Sequence, residues 1–367
     1  MASTSYGVNS PEAVKLWSKA LWHESLKQTY YGKFTGRGSN SLCQIVDDTS
    51  KGDGDRVRCT LRMLLTGAGV QGDSTLEGQE EQLATYTDDI FIDQLRHAVR
   101  SSGKMSEQRI PFSVREEARQ GLSDWFADRM DTAFFNQLCG YTAQEDTRYT
   151  GNQAAIAPDS QHHYVQNGTT TELLGGGSLA TETSVGSAST SNRFRLTSID
   201  RLITTAKTLT PQIRPLKAGG DDHYVLFMHP DQVHDLRTDA TANTITWYDA
   251  QKQAMAGGRV DNNPIFTGAL GVYNGVVLHE STRVTLGASG SATEAKVRRA
   301  VFCGAQAAIQ AFGKGYGAGR KMDWTEELFD YRNQLGVGAG MISGLKKARY
   351  NGSDFGAIVL ATSWTGA

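Results

Sequence analysis

The sequence predicts an α+β protein, a compact body with extended pieces lying outside it. Three observations carry that reading. A period-two stretch begins at Arg56, and an amphipathic helical stretch of about seven turns begins at Ser113. Short helix and strand patterns then alternate from Thr197 before giving way to glycine-rich strands.

The bulk numbers support a folded chain of two or three subdomains. It has 367 residues, 39% hydrophobic and 21% charged, so a sizeable core is expected. Lys plus Arg is 37 against 39 Asp plus Glu, a net charge of -2, which argues against a dedicated nucleic-acid binder. Cys43, Cys59, Cys139 and Cys303 form no CxxC pair and read as buried thiols of a reducing compartment. The opening MASTSYGVNSPEAVKLW has no basic start followed by an apolar run, and no stretch reaches the apolar length of a membrane span. A soluble, cytoplasmic protein is therefore expected. Glycine numbers 40 against 7 prolines, a balance that favours strand turns and pliable extended segments.

In order along the chain, Ser10, Pro11 and Glu12 start a helix by capping, fixed φ and dipole. Ala13, Leu16, Trp17, Ala20, Leu21 and Leu26 continue it to about Tyr30, with Gly32 and Gly36 to Gly38 as its stop. From Arg56, the residues Val57, Cys59, Leu61 and Met63 alternate with Arg58, Thr60 and Arg62, giving a half-buried strand with a basic outer face. A second strand contains Tyr86, Ile90 and Ile92, so arginines of the first are expected opposite aspartates such as Asp89. The connection GVQGDSTLEGQEEQL, Gly69 to Leu83, is far longer than the two to five residues a hairpin needs.

Ser113 and Glu116 read as a capping box for the long helix, and Gly140 as its stop. Val114, Ala118, Leu122, Trp125, Phe126, Met130, Ala133, Phe134 and Leu138 form its apolar face, which needs a broad partner such as a sheet. Residues 141–195 are rich in Gly, Ser, Thr and Asn and read as a long surface excursion, with His162 and His163 exposed in it. A helix follows from Ser198 to Leu209, stopped by Pro211. HYVLFMHP is a buried strand, DQVHDLR begins a helix, and WYDAQKQAMAGG is another. GVYNGVVLHESTRVTLG, RRAVFCGAQAAIQAFG and DFGAIVLATS are strand-rich.

Candidate chemistry is weak throughout. GVQGDSTLEG lacks the lysine and following helix of a phosphate loop, and GKGYGAGR at Gly313 to Arg320 has no βαβ setting. His23, His97, His162, His163, His223, His229, His234 and His279 contain no HExxH and no zinc spacing. Asp221 and Asp222 before His223 read as a solvated turn rather than a metal pair. No G-x-S-x-G elbow occurs, and the cysteines lack an activating context. Glu77, Glu80 and Glu81 sit on a glycine-bounded loop, a poor place to hold catalytic geometry and a better one for a charged contact surface. No catalytic residue, cofactor or metal is expected.

LLTGAGVQGDSTLEGQEEQL, DDIFIDQLRHAVRSSGKMSEQR, REEARQGLSDW and FDYRNQLGVGAGMISGLKKARYNGSDFGAIVLAT together resemble tailed-bacteriophage major capsid proteins of the Hong Kong 97 type, in the branch typified by the short-tailed coliphage N-four. The resemblance is most specific from Leu64 to Trp125 and covers most of the chain outside 141–195 and the Gly/Ser stretch near 288. It implies an N-terminal arm at residues 1–50 and an extended loop at 51–105 that lies over an adjacent subunit. It further implies a peripheral domain at 106–196 with a spine helix and a Gly/Ser/Thr-rich insertion, an axial domain at 197–280, and return strands of the peripheral domain at 281–367.

The implied function is self-assembly into pentamers and hexamers of an icosahedral shell around double-stranded DNA. Assembly in the host bacterial cytoplasm is implied, with scaffolding and portal proteins as partners and a decoration protein left open. Arg56, Arg58, Arg62, Asp73, Glu77, Glu80 and Glu81 are the candidate subunit-contact residues. A near-neutral shell lying beside DNA without gripping it agrees with the charge balance. An encapsulin-like compartment and, further off, a soluble enzyme are the alternatives.

Overall fold

The computed structural model describes residues 29–46, 54–62, 65, 67–73, 75–83, 85–111, 113–176, 179–187, 192–218, 220–239, 271–287, 296–313 and 322–364. The expected N-terminal helix up to residue 28, the helix expected over WYDAQKQAMAGG, the glycine-rich loop after Gly313 and the Gly/Ser stretch from 288 lie outside the described residues.

The described chain opens with a 3-10 turn, Tyr31–Phe34, then strands β1 (Thr35–Gly36) and β2 (Cys43–Val46). A hairpin of β3 (Arg56–Arg62) and β4 (Thr85–Phe91) follows, and beyond Ile92 the chain runs on as β5 (Asp93–Arg100). Helix α1 (Lys104–Gln108) is short and α2 (Val114–Cys139) is long. Next come β6 (His163–Asn167), β7 (Thr170–Leu173), α3 (Glu182–Ser187) and α4 (Leu196–Thr208). They lead to β8 (Leu216–Ala218), β9 (Asp221–Met228), α5 (Pro230–Thr238), β10 (Val272–Tyr273) and β11 (Val276–Glu280). The remainder is strand: β12 (Lys296–Cys303), β13 (Ala308–Phe312), β14 (Asp323–Phe329), β15 (Gln334–Lys347), β16 (Arg349–Tyr350), β17 (Ser353–Asp354) and β18 (Ala357–Trp364).

Helix α2 forms where its spacing predicts. Leu122, Phe126, Phe134 and Leu138 are fully buried, and from Ala133 onward nearly every residue is enclosed. Gly140 closes it at φ 63, with Tyr141 N–H donating to the Asn136 carbonyl at 3.0 Å and Gly140 N–H to Gln137 at 3.1 Å. The expected capping box is not made. Ser113 has the backbone of an N-cap, but its side chain accepts no capping bond. Arg115 instead ties the first turn to Glu326 of β14 at 2.7 Å, and Glu116 and Glu117 complement the dipole. Trp125, expected on the buried face, is half-buried and stacks on His97 of β5 at 4.6 Å between ring centres.

The partner surface is a six-stranded sheet ordered β1-β2-β13-β15-β14, with β5 along the other edge of β15. Alternation puts Val337, Ala339, Met341 and Leu345 of β15 in the core with α2. The opposite face carries Gly336, Gly338 and Gly340.

A second sheet is ordered β10-β11-β9-β12-β18-β6-β7, with β8 beside β9. Its central strands read as unbroken apolar runs because both faces are covered. Val225, Phe227, Val301 and Val359 join the core around α2, while Leu226, Phe302, Ile358 and Leu360 pack with α4 and α5. His229 caps α5 with Pro230 at its first position, where HYVLFMHP predicts the strand to stop. Strands from before residue 196, from 197–280 and from beyond 281 thus share one sheet.

Residues 141–195 depart from the surface excursion that composition suggests. They supply β6, paired parallel to β18, and bury Thr150, Gln153, His162, His163 and Gln166. His162 and His163 are 4% and 8% exposed, not solvated. Their partners, described below, come from segments remote in sequence.

Candidate assembly surface

The hairpin of β3 and β4, with its connecting loop, carries all seven predicted contact residues. Its register sets Arg56 opposite Phe91, Arg58 opposite Asp89 and Arg62 opposite Thr85. The expected arginine–aspartate pairing occurs within the chain. Arg58 donates to both Asp89 oxygens, at 2.7 and 2.9 Å, and these bonds hold the Asp89 carboxyl below its usual range. The Arg56 guanidinium lies 4.5 Å from the Phe91 ring centre. Val57 is buried and Cys59 and Leu61 half-buried, whereas Arg56, Arg58 and Thr60 face solvent, as the period of two requires.

At the tip, Asp73, Glu77, Glu80 and Glu81 are all exposed. Two of them also shape the loop. Glu80 accepts from Gly78 N–H at 2.7 Å and Glu81 from Gly67 N–H at 2.6 Å. The residues that charge-based reading misses are apolar. Leu65, Leu76 and Leu83 are 63%, 60% and 53% exposed, an arrangement a lone chain gains nothing from. The signal was present in the sequence as leucines spaced through an otherwise polar loop.

The root of the hairpin is locked to the body. Val57 and Ile90 pack with Ile309, Ala311 and Ala348. Lys346 pairs with the Asp88 carboxylate and donates to the Asp89 carbonyl at 3.0 Å, and Arg349 N–H donates to Asp88 at 3.1 Å. Gly344 lets the β4 backbone pass: a Cβ there would collide with the Phe91 carbonyl.

The segment entering from the N-terminal side is clamped to α2. Asp131 accepts from Tyr30 N–H at 2.9 Å and Tyr31 N–H at 3.1 Å, and the Tyr31 ring stacks on Phe134 at 4.8 Å. Burial raises the Asp131 carboxyl, against the opposing pull of those two amides. Under the far end of α2, Glu182 meets His163 Nε2 at 2.7 Å and Arg299 through two bonds of 2.8 Å. Arg299 also donates to the Cys139 carbonyl at 3.0 Å, binding the helix terminus. Burial alone would raise Glu182, but His163 and Arg299 outweigh it and hold it at about 2. His162 sits within 3.4 Å of Asp159, with burial lowering its pKa.

These groups are engaged in structure. Burial pushes the Cys43 thiol up to about 12, the reverse of an activated nucleophile. Cys43, Cys139 and Cys303 are buried free thiols and Cys59 is half-buried. Among the described residues no group of three or more His, Cys, Asp or Glu is placed to hold a metal, and no helix is long and apolar enough to cross a membrane.

Comparison with known proteins follows the same outline. The profile of the family described as "Phage capsid protein" matches residues 5–364. The major capsid protein of Pseudomonas phage KPP25 is 28% identical over 387 residues, spanning 97% of this chain and 96% of the relative. Among solved structures, the capsid of Ralstonia phage GP4 superposes with a TM-score of 0.74 at 33% identity, covering 100% of this chain and 99% of that one. The cyanophage Pam1 capsid shares the fold at 21% identity, with a TM-score of 0.73 over 93% of this chain and 94% of its own. The α+β fold is therefore that of the Hong Kong 97-like capsid chains. By sequence and fold the chain belongs to the phage capsid protein family.

Proposed function

We infer that this chain is the major capsid protein of a tailed phage, a structural protein whose copies form an icosahedral shell. The observation that carries the reading is the match along the whole chain to a capsid subunit at 33% identity. An encapsulin-like compartment would share such a fold, but the relatives above are phage capsids.

Within that reading, pentamers and hexamers enclose double-stranded DNA, and assembly takes place in the host cytoplasm with scaffolding and portal partners. Residues 1–50 act as the arm, 51–105 as the loop over a neighbour, 106–196 and 281–367 as peripheral segments, and 197–280 as axial. Heterologous contacts must close into rings of two sizes, which one rigid patch serves poorly and a projecting loop serves well. Arg62, Asp73, Glu77, Glu80 and Glu81 are the proposed contact groups at the loop's far end, with Arg56 and Arg58 braced by Phe91 and Asp89 behind them.

Electron microscopy of the purified chain, with sedimentation velocity across salt concentrations, tests the function. Closed shells or capsomer rings are expected. Deletion of Gly72 to Glu80 tests the loop: a cooperatively melting subunit without stable shells is the expected outcome, and normal particles from the deletion would reject the loop's role.

A further inference from the structure

Charge is segregated along one continuous stretch of this chain. Between Arg62 and Arg96 there is no lysine or arginine, and the tip contributes Asp73, Glu77, Glu80 and Glu81. From Arg96 to Arg109 the sign reverses, with Arg96, Arg100, Lys104 and Arg109 against the single acid Glu107. β4 and β5 run on along the same edge of β15, with Asp88 beside Lys346 and Arg100 opposite Gly336. The two strands, Thr85–Phe91 and Asp93–Arg100, run for about 50 Å if extended end to end.

The basic end has the shape of a receptor. On the face of β5, β15 and β14 turned away from α2, Gly338 and Gly340 floor a groove of about 590 Å³. Arg96 and Ala98 form one wall, Asp323 and Thr325 the other. The Arg96 side chain lies over Gly340, and Arg100 stacks 4.3 Å from the Phe329 ring centre. Beyond the groove, the β14–β15 turn holds Asp330, Tyr331 and Arg332 at φ 51, 50 and 67, three consecutive left-handed residues without a glycine. That turn leaves Tyr331 wholly exposed. A strained turn that presents an aromatic ring to water has the character of a binding anchor.

We propose that the acidic, leucine-bearing tip of one copy, Gly69 to Leu83, docks on this glycine-floored face of a second copy, with Leu76 seated in the groove and Glu77 toward Arg96. This rests on the loop reading above and names its receptor. Arg58 of the hairpin is already taken by Asp89 of its own chain, which leaves Arg96 as the cation offered to the tip acids. The contact is head-to-tail: every copy carries a tip and a receptor at opposite ends, so docking propagates until a ring closes.

The test uses full-length chains with Leu76→Cys and Ala98→Cys together, oxidised after assembly and run without reductant, each single variant serving as control. A ladder of covalently linked chains is expected only from the pair. In parallel, Arg96→Glu and Glu77→Lys are each expected to lose shells while melting like the parent, and the double variant to recover them. Shells of the cysteine pair that run as monomers, with Arg96→Glu assembling like the parent, would overturn the proposal. If the Gly72 to Glu80 deletion nevertheless abolishes shells, only the receptor is wrong. If that deletion assembles normally, the loop reading itself has failed.

Discussion

Glu182 accepts from Arg299 and pairs with His163 where water hardly reaches, and those bonds join α3, β6, β12 and the end of α2. Removing one partner of such a group leaves a buried charge uncompensated, so Arg299→Ala is expected to cost about 3–5 kcal/mol in chemical denaturation. The pH dependence has a definite sign. Glu182 is held at about 2 in the fold against 4.5 when free, so its contribution is complete above about 4.5 and fades as pH falls toward 2. Glu182→Gln should flatten that acid limb in melts recorded from pH 6 to 3, and an unchanged limb would reject the assignment. None of this was legible in sequence, because the partners lie 19 and 117 residues from Glu182. Arg58 and Asp89 were legible, since strand alternation puts them opposite each other in a hairpin.

Among the elements, α2 was the most legible, because its helical spacing persists over 26 residues. Its depth was not. The sequence does not say where along the helix the second sheet closes over it, so Trp125 reads like Phe134, although Trp125 is half-buried beside His97 and Phe134 is fully enclosed. Phe134→Asp is expected to cost more than about 4 kcal/mol and give insoluble protein. Trp125→Asp should lose less and remain soluble; the ranking of the two melts checks this. β6 escaped detection because HYVQN is short and sits in a Gly/Ser/Thr-rich region, and its burial is supplied by β18. At the hairpin root, Gly344→Ala must displace the β4 backbone at Phe91. A loss of about 1–3 kcal/mol is expected by thermal melting, together with poorer assembly as the hairpin swings from its seat.

At the scale of the molecule, the long hairpin followed from sequence, and the interleaving of strands did not. Backbone pairing between remote segments leaves no periodic mark, whereas burial of a face does. β18 is the clearest case. It lies between β12 and β6, hydrogen-bonded on both edges, and both of its faces are buried. Yet it is synthesised after every other described element. While the ribosome is still making it, β6 and β7 lack the strand that joins them to the rest of the sheet, and the core around α2 lacks Val359. Closure of this second sheet must therefore wait for translation to pass residue 364. A chain ended before β18 leaves β12 and β6 without their shared partner, so the strand order makes closure of that sheet a mark of a completed subunit.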